Sequence, residues 1–167
     1  LVFIVVMIVM GLNQGMQPIA GYNFGAKLYG RVNKVLRLTI IYATAVTTFG
    51  FLVGMLVPDL VVGIFTSDAE LTELSVTGLR ITVMFFPIIG FQMVTSNFFQ
   101  SIGMAGKAIF LSLTRQMLIL LPCLLVLPQF FGVAGVWYSM PVSDLLASLI
   151  ALVMLVCQFR KFRTSPL

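Results

Sequence analysis

Long apolar stretches separated by short polar or charged breaks organise this chain. They predict membrane-spanning helices at about 1–24, 36–65, 70–102, 107–128 and 133–159. A helix needs about 20 residues to cross the hydrocarbon. The longer stretches must therefore tilt or run on into the interface. Apolar residues come in continuous runs and do not alternate, which predicts helices rather than barrel strands. The expected fold is all-α, a polytopic transmembrane helix bundle of about five spans. An apolar helix is already under way at Leu1, so the chain is expected to be the C-terminal piece of a longer protein.

The polar residues inside these runs are the candidate functional positions. The first span carries Asn13, Gln14, Gln17 and Pro18. Lipid offers no partner to an amide, so these residues must face other helices or a wet cavity. Asn13 and Gln17, and Gln14 and Gln17, are spaced to share a helical face. Pro18 frees a backbone carbonyl one turn back and predicts a bend. Gly11, Gly15 and Gly21 would let a neighbouring backbone come close. In the third span Gln92, Ser96 and Gln100 recur every four residues, with Asn97 beside them and a bend expected at Pro87. Either stripe could be a cavity wall, or hydrogen-bonding glue between helices. Met93, Phe98 and Phe99 lie beside the second stripe and could give it an adaptable apolar surface.

Asp144 is the one acidic residue deep in a span. It lies roughly 16 Å from the outer end of its helix, and Arg115 lies roughly 12 Å from the inner end of the preceding one, at 1.5 Å per residue. In a core about 30 Å thick, both approach the middle. Pairing lowers the cost of each charge, so Arg115 and Asp144 are expected to interact. Arg80, a turn or two into span three, is expected to snorkel to the interface.

Composition agrees with the membrane reading. The chain is 60% hydrophobic and 9% charged, where soluble domains carry about 25% charged residues. The mean hydropathy is +1.11. The net charge of +5 sits in membrane-flanking positions and reads as topology, not as a nucleic-acid surface. Lys27, Arg31, Lys34 and Arg37 follow span one, Lys107 follows span three, and Arg160, Lys161 and Arg163 follow span five. Alternating helices put these on one side, which the positive-inside rule makes cytoplasmic, together with the C-terminus. Contact of the basic residues with anionic lipid is a further expectation. Asp59, Asp68, Glu70, Glu73 and the Pro128–Gly132 turn fall on the other side. Ser67–Glu70 fits a capping box at the start of span three, and Gly103–Gly106 fits a tight turn before span four. The sequence has no His, and Cys123 and Cys157 lie in apolar runs without metal or disulfide spacing. No metal site, catalytic triad, phosphate loop or dinucleotide fingerprint is present, so an enzyme is not expected.

Several segments resemble one family. Gly15–Ala26 followed by Arg31 resembles the eighth helix of MATE multidrug exporters, most like their MepA-related bacterial branch. Phe85–Gln92 with Asn97–Gly103 resembles the tenth helix, Arg115–Pro122 the eleventh, and Gly132–Trp137 through Pro141 and Asp144 the start of the twelfth. The resemblance implies about five spans of a six-helix C-terminal lobe. It also implies antiport of drugs and other xenobiotics across the bacterial cytoplasmic membrane by alternating access, driven by H⁺ or Na⁺ and without a cofactor. The implied partners are the lipid bilayer, small amphipathic or cationic substrates and an N-terminal lobe of the same protein, with no nucleic acid. Some branches use acidic residues of the C-lobe for the coupling cation. Span three has none after Glu73, so the resemblance implies a coupling carboxylate in the N-lobe. The alternatives are a lipid-linked oligosaccharide flippase of the same superfamily and a non-transporting membrane protein.

Overall fold

The computed structural model describes residues 1–65 and 68–164, and these are almost wholly helical. Helix α1 spans Val2–Gly25, α2 Tyr29–Leu56, α3 Pro58–Gly63, α4 Ala69–Val83 and α5 Phe86–Ser101. Helix α6, Ala105–Leu113, passes through a π-helical stretch, Thr114–Leu120, into α7, Leu121–Phe131. Helix α8 spans Val133–Thr164. Among the described residues four helices are long and apolar enough to cross a membrane. The bent pair α4 and α5 makes a fifth candidate span.

Helix α5 is the centre of the bundle, packed on α1, α2, α6 and α8. Its sequence allows this because apolar and small residues recur on several faces. Val94, Phe98 and Phe99 are wholly buried, against Val9, Met16 and Ala20 of α1, Val32, Leu36 and Ala43 of α2, Leu111 of α6, and Ala151 and Leu155 of α8. Between apolar lipid tails, helix association depends on close packing, so small residues mark the crossings. At Gly90 a Cβ would lie 2.7 Å from Thr47 Oγ1 and 3.0 Å from the Ala43 carbonyl oxygen. At Gly21 it would lie 2.8 Å from the Ser101 carbonyl oxygen. These two glycines let α5 approach α2 and α1.

Several boundaries depart from the sequence expectation, each for a local reason. Helix α2 begins at Tyr29, not at about 36. Arg31, Lys34 and Arg37 are exposed while Val32 and Leu36 turn inward, so one helix carries the charges and the core together. The stretch to Phe65 is not one helix. It breaks at Val57 (φ −131°, ψ 46°), where the following Pro58 disfavours the α conformation and then opens α3. The third span bends by 50° between α4 and α5, and Pro87 stands in the first turn after the break. Helix α1 runs through Pro18 without a break, and α7 runs through Pro128 to Phe131. The turn before α8 is Gly132 alone, at φ +58° and ψ −139°, a region open to glycine. The expected capping box starts at Ser67, outside the described residues. Its neighbour Asp68 does accept the Leu71 N–H at 3.3 Å.

Basic segments meet at one end of the bundle. Lys107 Nζ at the start of α6 donates to Gln158 Oε1 near the end of α8, and sits 5.2 Å from the centroid of the Phe99 ring. Asn33 and Arg37 of α2 share a crevice with Phe159 of α8. At the opposite end Val61, Val62 and Phe65 share a cavity with Leu74, Gly78 and Trp137.

Candidate functional site

Arg115 and Asp144 meet between the π-helical stretch and α8. Arg115 Nε donates to Asp144 Oδ1 at 2.8 Å. The pair is asymmetric, because the Asp144 side chain is 7% exposed and that of Arg115 35%. The guanidinium Nε–H holds the buried carboxylate, while the arginine side chain stays partly exposed. The backbone there is unusual. Pro122 lacks an N–H, and in a regular α-helix its ring would crowd the carbonyl of Leu118 one turn back. A wider π-helical turn ahead of it relieves that crowding, and such turns cluster at functional sites.

The pair borders a cavity of about 350 Å³, lined also by Thr82, Phe86, Met93, Gln116 and Ser143. A second space of about 160 Å³ adjoins it. Met93, Arg115 and Gln116 line both, and the second adds Gln92, Ser96, Asn97 and Ser112. The two form one cleft between α5 on one side and α6, the π-helical stretch and α8 on the other. Its walls mix amides, hydroxyls and one ion pair with Met and Phe. The smaller space, walled largely by amides and hydroxyls, is polar and large enough to hold water. Gln92 is 4% exposed and its Oε1 accepts no hydrogen bond. An acceptor left open on such a wall is suited to a water or to a donor on a bound molecule.

The remaining predicted positions divide. The stripe of α5 changes character along its length: Gln92 is buried, Ser96 half-buried and Gln100 exposed. Gln100 lines, with Ser96 and Ser112, a separate crevice of about 310 Å³. Ser96 Oγ donates to the Ala108 carbonyl at 3.5 Å, and Asn97 Nδ2 to the Met93 carbonyl at 2.9 Å. Gln17 Nε2 donates to Asn97 Oδ1 at 3.4 Å and so ties α1 to α5. Asn13 faces the bundle, 2% exposed, with neither amide atom paired. Gln14 does not follow Gln17 into the α1–α5 contact: it is exposed, as is Pro18. Phe98 and Phe99 are core residues at 0% exposure, so neither forms an adaptable surface; Met93, half-buried, lines the cleft.

Ser112 and Gln116 belong to the cleft but escaped the sequence reading. With Arg115 they stand at i, i+3 and i+4 in an otherwise apolar span, and that spacing was the available signal. Among the described residues no group of His, Cys, Asp and Glu could hold a metal ion.

Residues 1–126 match the MatE family. Multidrug export protein MepA of Staphylococcus aureus (strain MSSA476) is 26% identical over 146 residues, which cover 87% of this chain and 32% of the relative. MepA of Staphylococcus saprophyticus is 22% identical over the same share. The chain thus spans about a third of the length of these curated relatives. Among solved structures, the MATE multidrug transporter DinF-BH in complex with rhodamine 6G aligns with a TM-score of 0.89 and 37% identity, over 96% of this chain and 36% of that one. The inward-facing conformation of a multidrug resistance MATE family transporter of the MOP superfamily aligns with a TM-score of 0.89 and 19% identity, over 98% and 39%. At that identity the likeness speaks for the fold.

Proposed function

The chain belongs to the MatE family, and from that premise we propose that it forms most of the C-terminal lobe of a bacterial exporter of drugs and other xenobiotics. The basic end faces the cytoplasm, with the C-terminus. A second lobe of the same protein completes the transport path. The relatives matched at this level are named as multidrug exporters, and one was solved with the rhodamine dye bound.

The observation that carries the reading is the cleft beside Arg115 and Asp144. A transported amphipathic cation needs apolar contact, adaptable side chains and no net positive wall. Met93, Phe86 and Met140 give the first two. The pairing of Arg115 with Asp144 cancels a charge that would otherwise repel such a cargo. The same cancellation weighs against an oligosaccharide-lipid diphosphate, which would need unpaired basic groups. The exposed flank of α1 supports an inter-lobe cavity. Gln14 is a polar side chain at membrane depth that no described residue covers, and nothing approaches within 4 Å of a Cβ placed at Gly11 or Gly15. Lipid penalises such a face, whereas a wet path between two lobes accepts it.

Transport proceeds by alternating access, the lobes opening first inward to load drug and then outward to release it in exchange for H⁺ or Na⁺. Asp144 is committed to Arg115, so we assign coupling to a carboxylate outside these residues. The test is efflux of the rhodamine dye by the full-length protein in proteoliposomes, with proton and sodium gradients collapsed separately. Loss of efflux with one gradient is expected. Efflux indifferent to both would end the antiport reading.

A further inference from the structure

The crevice between α2 and α8 at the basic end has the polarity of a phospholipid. It measures about 350 Å³ and is lined by Asn33, Leu36, Arg37, Ile40, Ile41 and Phe159. The five α2 residues stand at i, i+3, i+4, i+7 and i+8, one face of a helix. Asn33 and Arg37 are exposed and lie nearer the basic end, while Leu36, buried, forms the floor. Ile40, Ile41 and Phe159 continue as an apolar wall. From Asn33 to Ile41 the helix rises about 12 Å, against about 15 Å for one leaflet of a 30 Å core. The crevice therefore offers donors at headgroup depth and an apolar trough along most of one leaflet.

The distribution of charge favours an anionic occupant. Eight of the ten Lys and Arg residues are Lys27, Arg31, Lys34, Arg37, Lys107, Arg160, Lys161 and Arg163. No Asp or Glu precedes Asp59, and none follows Asp144, which Arg115 occupies. Asp59, Asp68, Glu70 and Glu73 belong to the other end of the bundle. Arg37 is the basic residue that lines the crevice, and a lipid phosphate at an anionic bilayer surface supplies its counter-charge.

We propose that this crevice is a binding site for one anionic diacyl phospholipid, its phosphate held by Arg37 and Asn33 and an acyl chain laid along Ile40, Ile41 and Phe159. The site lies apart from the cleft at Arg115 and Asp144. It rests on the basic end lying at the membrane surface and not on the transport reading, so a protein inactive toward the rhodamine dye would leave it standing.

The test uses the full-length protein in detergent, given equimolar dioleoyl phosphatidylglycerol and dioleoyl phosphatidylcholine and read by native mass spectrometry. One phosphatidylglycerol should be retained in preference. Arg37→Gln should lower its retention about fivefold, the equivalent of about 1 kcal/mol for one cation at a bilayer surface. Ile41→Trp, a change at an exposed position that fills the trough, should displace it with the charge intact. Arg31→Gln removes an equal charge outside the crevice and should leave retention unchanged. Equal retention of the two lipids, or equal losses for Arg31→Gln and Arg37→Gln, would overturn the site.

Discussion

Removing Arg115 should cost the protein more than removing Asp144, although they form one ion pair. Asp144 is 7% exposed and Arg115 Nε is its hydrogen-bonding partner; Arg115 is 35% exposed and lines the cleft. At an effective dielectric of about 20, the gross attraction is about 4 kcal/mol, before desolvation is subtracted. Arg115→Met strands a buried carboxylate, and breaking a buried pair in this way costs about 3–5 kcal/mol. Asp144→Asn leaves a cation that can turn to the cleft, and should cost about 1–2 kcal/mol, the scale of one charged hydrogen bond. The double change Arg115→Met with Asp144→Asn removes both charges and should cost less than Arg115→Met alone, because no buried carboxylate is left without its partner. The assay is reversible unfolding of the full-length protein in mixed detergent and SDS micelles, run as a double-mutant cycle. A coupling of about 2 kcal/mol or more is expected. A coupling below about 0.5 kcal/mol, or equal costs for the two single changes, would refute the reasoning.

Four further changes probe packing and the cleft. Gly90→Ala drives a Cβ to 2.7 Å from Thr47 Oγ1 at the α2–α5 crossing and should lower stability by about 1–3 kcal/mol; Gly15→Ala, with nothing within 4 Å, should raise it by about 0.5–1 kcal/mol in the same unfolding assay. Gln92→Leu removes a buried acceptor without a partner and should leave stability unchanged or raise it by about 1 kcal/mol, while efflux of the rhodamine dye falls. Lys107→Met breaks the contacts to Gln158 and the Phe99 ring and should cost about 1–2 kcal/mol, read as a lower unfolding midpoint.

The spans were legible because long apolar runs leave few alternatives in a bilayer. The pairing of Arg115 with Asp144 was legible for the same reason, since two charges at similar depth have few other partners. Other features depend on neighbours that periodicity cannot identify. Asn13 and Gln14 are adjacent in sequence, yet one is buried and the other exposed, because only the first turns toward the bundle. Phe98 and Phe99 follow a polar stripe, yet α5 is surrounded on several sides and both become core. The true start of α2 is masked because its basic residues resemble a loop, although their spacing suits one exposed helical stripe. The π-helical turn departs from the 3.6-residue period on which a reading of α6 and α7 relies.

The central claim is that the cleft beside Arg115 and Asp144 is part of a wet, drug-accessible path. Single cysteines at Gln116 and Ser112, in full-length protein whose Cys123 and Cys157 have been replaced by Ala, test it most directly. A membrane-impermeant thiol reagent should label Gln116→Cys and Ser112→Cys, and the rhodamine dye should slow that labelling, while a cysteine at the buried core position Val94 stays unlabelled. Gln116→Cys and Ser112→Cys as inert as Val94→Cys, or labelled at a rate the dye does not change, would contradict the account.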